Sequence, residues 1–409
     1  MKVLYPRCAG LDVHKETVVA CVRIALVRGD ARHEVRTFGT TTGELLRLSD
    51  WLAEQGCTHV AMEATGVYWK PVWQLLEGSF DLVLANAAHI RNVPGRKTDV
   101  NDATWIADLL AHGLVQASFV PPAAIQELRT LTRTRKQLVR ERTQHVQRLG
   151  KTLETANVKL ASVLSDIVGV SGRAMLQALI AGESDPERLA ALGHGRLQSS
   201  RAERVEALRG RVTRHHRFLL ALHLEQVEAL ERAIASVEAE IEQALAPFRH
   251  HVERLLTIPG VKDRVAQVIL AEIGTDMARF PTAGHLISWA GLCPRNDESA
   301  GKRRSTRVRP GTPWLKITLV QAAWAAVRKQ DTYLRAQFLR LKSRRGPKKA
   351  ILAVAASMLT AAYHILRDDV DYRDLGPDHL DRRDRARRSH YLVRRLRDLG
   401  YEVTLREAA

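Results

Sequence analysis

Two carboxylates three residues apart close a short basic stretch, Arg96-Lys97-Thr98-Asp99-Val100-Asn101-Asp102. A helical pattern opens directly behind them, with Ala103, Ile106, Ala107, Leu109 and Leu110 apolar. Inside a helix, residues i and i+3 share one face. Asp99 and Asp102 would then point the same way and offer oxygen ligands to a hard cation such as Mg²⁺. The same pair also suits a plain helix start, with Asp99 as N-cap and Asp102 favoured in the first turn by the helix dipole. What separates these readings is whether other carboxylates reach the same place, and two are candidates. Asp12 interrupts the apolar run Cys8-Ala9-Gly10-Leu11-Asp12-Val13, where an aspartate is costly unless paired, hydrogen-bonded or metal-bound; otherwise it is a turn residue at a strand end. Glu63 ends the run Thr58-His59-Val60-Ala61-Met62-Glu63, just before Ala64-Thr65-Gly66.

A second stretch with chemical potential runs from Trp289 to Ser305 and contains Cys293-Pro294-Arg295-Asn296-Asp297-Glu298-Ser299-Ala300-Gly301. It reads as a polar loop. Ser299 could act as a nucleophile only if something activates it, because a free serine hydroxyl is weak. The alternative is a flexible basic loop touching phosphates, since Lys302, Arg303, Arg304 and Arg307 follow at once.

The elements that must position these residues are legible in outline. Residues 7–24 read as two strands in a hairpin, with Asp12 on the first, and a third strand covers 34–40. A helix follows over 42–55, with Leu45, Leu46, Leu48, Trp51 and Leu52 on its inner side, then short strands at 58–63 and 82–85. Three strands, helix, strand, helix, strand, helix is the order of a mixed sheet flanked by helices. From Ile125 to about Leu164 the pattern is helical, and its outer face is basic: Arg129, Arg133, Arg135, Lys136, Arg140, Arg142, Arg148 and Lys151. We read that face as phosphate-facing, the alternative being a charged face that is merely solvated. Glycines break 165–215 into short helical pieces. Leu220, Val227, Ile234 and Ile241 then fall seven apart, with Leu230 and Val237 between, which fits either a coiled-coil seam or a packed bundle helix. Leu255-Leu256-Thr257-Ile258-Pro259-Gly260-Val261 has the form of a helix–hairpin–helix turn that could offer N–H groups to a phosphate, or of a plain helix connection.

Composition narrows the partner. Lysine plus arginine number 63 against 45 acidic residues, a formal charge of +18, which favours a polyanion, nucleic acid first. No run of 18 apolar residues argues for a membrane span. Cys8, Cys21, Cys57 and Cys293 stand far apart with no CxxC, which indicates neither zinc nor a disulfide framework and fits a reducing cytoplasm. Aromatic residues are 5%, too few for a protein that works mainly by stacking single-stranded bases.

The strand-borne Asp12 in Gly10-Leu11-Asp12-Val13-His14-Lys15, Glu63 in Met62-Glu63-Ala64-Thr65-Gly66 and the Lys97-Thr98-Asp99 to Asp102-Ala103 helix start resemble, in that order, the RuvC-type, RNase H-like half of the insertion-sequence one-ten family of DEDD transposases. Piv-type DNA invertases are related. Gly291-Leu292-Cys293-Pro294, then Glu298 to Gly301, then Gly311-Thr312-Pro313-Trp314-Leu315-Lys316 and an apolar helix are similar to that family's second domain. Pro310 and Pro313 depart from its pattern and bear on the local loop backbone.

The resemblance implies a DNA transposase or recombinase. Asp12, Glu63, Asp99 and Asp102 would bind one or two Mg²⁺ ions, and Ser299 would be the catalytic serine that forms a covalent phosphoserine link. Lys97, Lys302, Arg303, Arg304 and Arg307 would hold phosphates, and Arg129, Arg133, Lys136 and Arg140 would add to the nucleic-acid surface. The partners implied are donor and target double-stranded DNA, a noncoding guide RNA that base-pairs to both, and further copies of the chain in a dimer or tetramer. The layout expected is α/β plus α: a RuvC-like domain at 1–125, a helical and coiled-coil assembly region at 126–248, a serine-bearing transposase domain at 249–345, and a C-terminal helix with a basic tail at 346–409. Two other classes compete. A metal-dependent junction nuclease would hydrolyse DNA without using Ser299, and a non-catalytic nucleic-acid scaffold would use the carboxylates only as caps and turns.

Overall fold

The computed structural model describes residues 2–26, 30–64, 66–85, 90, 101–195, 197–294, 297–299, 301–305, 307–308 and 313–405. The chain divides into two compact units, Met1–Val120 and Pro121–Ala409.

The first unit is built on strands β1 (Arg7–Val13), β2 (Thr17–Ile24), β3 (Arg32–Gly39), β4 (His59–Glu63) and β5 (Asp81–Ala85), with helices α1 (Thr42–Glu54), α2 (Trp69–Leu76) and α3 (Asp102–Ala111). The sheet order is β3-β2-β1-β4-β5. β1 and β2 pair antiparallel, as do β2 and β3, while β4 runs parallel to both β1 and β5. This is the mixed sheet that the element order called for.

Side chains alternate across a strand, and the alternation here divides two cores. Ala9, Leu11 and Val13 join Val18, Ala20, Val22, Val60 and Met62 under α1 and α2. On the other face Cys8, Ala61 and Ala85 pack with Ile106, Leu109 and Leu110 of α3, and Cys21 packs with Ala103 and Ala107. Burial raises the thiols of Cys8, to about 12, and of Cys57, to about 11, so both behave as apolar packing atoms. The inner side of α1 is Leu45, Leu48, Trp51 and Leu52. Leu46, read as part of that side, is 50% exposed, because it falls one position off the 3.6-residue stripe.

Among the described residues, the second unit is mainly helical, with one small hairpin. α4 (Ala123–Thr155) is followed by α5 (Leu160–Val163), α6 (Val170–Ala181), α7 (Pro186–Ala191), α8 (Arg201–Ala207) and α9 (Arg214–Leu245). α4 ends sooner than the periodicity implied. Ala156 caps it and Asn157 takes a left-handed φ of 57°. The heptad-bearing α9 finds its partner within the chain and pairs with α4 along its length. Arg142 meets Glu231 while the later His145 meets the earlier His223, so the two helices run antiparallel. Leu220, Val227 and Ile241 of the seam are buried, and Leu230, Ile234 and Val237 are half-buried.

The rest comprises α10 (Arg249–Leu256), α11 (Asp263–Ile273), α12 (Ala283–Trp289), β6 (Asp297–Ser299), β7 (Lys302–Ser305), α13 (Pro313–Ala326), α14 (Tyr333–Arg345), α15 (Pro347–Asp368) and α16 (His379–Asp398). α15 is the one described helix long and apolar enough to cross a membrane by length and composition. It packs against α13 and α14, with Val354, Ala355, Met358 and Leu359 buried, which makes it the core helix of this region.

Candidate active site

The parallel register of β1 and β4 ends at Leu11 opposite Met62. The next residue on each strand is Asp12 and Glu63 respectively. By the strand alternation, Asp12 shares the face of Cys8 and Gly10, and Glu63 shares that of Ala61. This is the face that α3 covers.

The helix is pressed onto the strand at Gly10. A Cβ at Gly10 would lie 2.2 Å from the Ala103 carbonyl oxygen and 2.4 Å from the Ala107 nitrogen. Cys8 Sγ lies 3.6 Å from the Ala107 carbonyl. Going out along β1 from Cys8 to Gly10 therefore means going back along α3 from Ala107 to Ala103. One step further stand Asp12 on the strand and Asp102 at the head of the helix. Arg23 of β2 and His33 of β3 both bind Asp108 Oδ1, at 2.8 and 3.0 Å, and hold the other end of α3 to the sheet.

Asp12, Glu63 and Asp102 are all half-buried. Asp12 Oδ2 lies 3.1 Å from His14 Nε2. Hard carboxylate oxygens at the ends of two inner strands are the donor chemistry of a Mg²⁺-type cation. Among the described residues, no three His, Cys, Asp or Glu side chains close on a single point. Asp99 and Lys97 lie outside the described residues. The cap role read for Asp99 belongs to Asn101, whose side chain accepts the Ala103 N–H at 2.9 Å. α3 itself begins at Asp102.

Ser299 is in the second unit. The stretch read as a loop is a hairpin: β6 and β7 pair antiparallel, with Ser299 opposite Lys302 and Glu298 opposite Arg303. The two-residue turn ends on Gly301 at φ 72°, a conformation glycine adopts without strain. Ser299 thus sits at the last paired position before the tip, beside Lys302. Arg304 follows on β7, and Lys302 and Arg307 are exposed. Pro313, noted as a departure in the sequence, is the first residue of α13, where a missing N–H costs nothing. Pro310 lies outside the described residues.

The basic face of α4 divides into two parts. Arg129 donates to the Ala271 and Glu272 carbonyls at the end of α11, and burial lowers its pKa to about 10. Arg133 forms a two-pronged pair with the Glu272 carboxylate, at 2.8 Å on each arm, and Glu272 is 1% exposed. Arg135 is buried against Gln267. These residues fasten α4 to α11, which corrects the reading of 129–151 as one continuous phosphate-facing stripe.

Lys136 and Arg140 remain on the outer side. With Arg133 they surround the Trp314 ring, each 5.4–5.8 Å from its centroid. Trp314 entered the sequence reading only as part of the Gly311 to Lys316 motif and was given no role there. The Pro259-Gly260 turn is likewise engaged in packing. A Cβ at Gly260 would lie 2.4 Å from the Ala322 carbonyl, and the Val261 N–H donates to Ile258.

Known families match the chain on both sides of this geometry. A family model described as "Transposase", for the DEDD transposases of the IS110 group, covers residues 9–158, and one described as "Transposase IS116/IS110/IS902 family" covers 252–339. This chain belongs to the IS110 transposase family. Transposases of this family cut and rejoin DNA, and the DEDD domain implies dependence on a divalent metal ion.

Relatives agree with the assignment. The "Probable family 20 transposase" of Pseudomonas aeruginosa is 26% identical over 370 residues, 89% of this chain and 98% of that protein. The "Transposase for insertion sequence element IS1111A" of Coxiella burnetii is 25% identical over 325 residues, 78% of this chain and 79% of its own. An "Insertion element IS110 uncharacterized 43.6 kDa protein" of Streptomyces coelicolor is 33% identical over 162 residues, 39% of this chain and 37% of its own.

Proposed function

We propose that this IS110-family transposase joins two chemistries: a RuvC-type, RNase H-like carboxylate site at Asp12, Glu63, Asp99 and Asp102, and a serine nucleophile at Ser299. The observation that carries the first half is the placement of Asp12 and Glu63 at matching ends of adjacent parallel strands, beneath the helix that Asp102 begins. These oxygens suit one or two Mg²⁺ ions. Bound there, the metal would supply Lewis-acid stabilisation of charge at phosphate oxygens. The carboxylates hold that charge in place, and without a cation they repel one another.

Ser299 carries the second half. Its position at the neck of a hairpin with Lys302 opposite supports a role at a phosphate. Its hydroxyl oxygen bonds to phosphorus, one phosphorus–oxygen bond to the sugar breaks, and the sugar hydroxyl leaves with the proton. The phosphoserine link keeps the bond energy, so the reverse step rejoins strands without ATP. Lys97, Lys302, Arg303, Arg304 and Arg307 hold phosphates around this step. A noncoding RNA paired to donor and target DNA would choose the sequence, leaving the protein to read backbone and shape. Active sites that draw on two copies of the chain would need a dimer, and two duplexes would need a tetramer, with residues 126–248 serving assembly.

The test is to trap and map the adduct. Purified protein, its RNA, labelled donor DNA and Mg²⁺ should yield a DNA phosphate on Ser299, lost in Ser299→Ala, in each of the four carboxylate-to-alanine variants and with EDTA. Asp102→Asn should lose cleavage while the protein still folds and binds DNA. An adduct on Ser305 or Tyr333 would sink the serine assignment. Robust hydrolysis by Ser299→Ala would favour the junction nuclease.

A further inference from the structure

Beyond both family-matched stretches, α16 carries eight arginines and three aspartates in its 20 residues His379–Asp398. Among the described residues, it is fastened at its first turn. His379 packs edge-on against Tyr333 at 5.6 Å, and the Leu380 carbonyl accepts from Arg340 Nη1 at 3.3 Å. Past that point the described side chains are exposed, apart from Ser389 and Val393, which are half-buried. Arg382, Arg385, Arg394, Arg395 and Arg397 are exposed, and none of the five pairs with a carboxylate among the described residues.

The contrast with the rest of the unit is informative. Arg133, Arg142 and Arg173 each have a glutamate partner within the chain. A helix whose described side chains bury little, and whose five described arginines have no carboxylate partner among the described residues, gains little from its own fold. What it lacks is an anionic surface.

We infer that α16 is a nucleic-acid-binding helix, with its arginines set against the phosphodiester backbone of DNA or RNA. Guanidinium groups suit phosphate because their planar fork makes paired hydrogen bonds. Tyr391, 62% exposed beside this charge, offers a ring for a base. Leu392, Leu396 and Leu399 form an exposed stripe at i, i+4 and i+7 and so raise pairing with a second copy of the helix. Charge argues against that pairing, since it would set two helices side by side, each with eight arginines against three aspartates. The inference stands apart from the serine chemistry and does not depend on it.

The test is salt-dependent binding by the full-length protein, with a short duplex DNA of arbitrary sequence and a single-stranded RNA of matched length as probes. In Arg394→Gln/Arg395→Gln/Arg397→Gln, the slope of log affinity against log salt should shrink by about 2 to 3, roughly one for each lost phosphate contact. The corresponding lysine triple should keep the slope. Loss on the DNA probe alone assigns the helix to DNA, and loss on the RNA probe alone assigns it to RNA; either supports the proposal. Slopes unchanged on both probes overturn it. So does an unchanged slope combined with a fall in oligomer mass for Leu392→Ser/Leu396→Ser, which would make α16 a self-association element.

Discussion

Replacing Gly10 by alanine puts a methyl group 2.2 Å from the Ala103 carbonyl oxygen, 2.4 Å from the Ala107 nitrogen and 3.0 Å from the Ile106 carbonyl carbon. All three are backbone atoms, so no side-chain rotation relieves the overlap. α3 must retreat from β1 by about 1 Å to restore ordinary contact, and Asp102 moves with it away from Asp12 and Glu63. Overpacking of this kind costs about 1–3 kcal/mol in stability, enough to lower the melting temperature without unfolding the protein. The functional loss should be larger. Metal ligands tolerate about 0.2 Å of error, and a misplacement of about 1 Å can cost about 10²-fold in rate. Strand cleavage by Gly10→Ala at fixed Mg²⁺ should therefore fall by about two orders of magnitude, with DNA affinity little changed. Gly43→Ala is the control, because a Cβ there meets nothing within 4 Å. If Gly10→Ala cleaves like wild type and binds Mg²⁺ as tightly, α3 does not position the site, and the reasoning from strand to helix to carboxylate is wrong.

The buried Glu272 should be worth more to folding than to catalysis. Glu272→Ala strands Arg133, while Arg129 keeps its two carbonyl acceptors, and should cost about 3 kcal/mol by thermal or denaturant unfolding; a loss below about 1 kcal/mol would show that Arg133 finds another partner. Lys136→Gln/Arg140→Gln should weaken nucleic-acid binding and reduce its salt slope by about 2, whereas Arg129→Gln should mainly lower the melting temperature; the opposite pattern would restore the continuous stripe. Stability should also depend on pH through His223. Burial, then His145 and Arg148, lowers its pKa below the ordinary histidine value. The unfolded chain therefore binds the proton more readily, so the stability His223 contributes is complete above about pH 6.5 and is lost as pH falls through its folded value. Unfolding midpoints measured from pH 7.5 to 5 should fall for wild type and fall less for His223→Gln, and parallel curves would remove His223 as the cause.

The sequence by itself determined much of the first unit. Alternation and turn residues located the hairpin of β1 and β2, the short strands β4 and β5 and the helix between them, because each signal lies within a few residues of the structure it specifies. The order Asp12, Glu63, Asp102 was legible for the same reason, and so was the family. Gly10 left a readable trace as well, since glycine inside an apolar strand marks a close backbone approach.

Tertiary structure decided what depends on partners far along the chain. That Asp12 and Glu63 share a face with α3 rests on a parallel register across some fifty residues, which no local pattern encodes. Asn101 rather than Asp99 caps α3 because the helix begins where its packing on Gly10 begins. Arg129 and Arg133 look like their neighbours Lys136 and Arg140 in any periodic reading. Only the arrival of Glu272, about 140 positions later, separates the cations that brace two helices from those left on the surface around Trp314. Burial and charge pairing are properties of the assembled unit, so the sequence could count the arginines but not assign them.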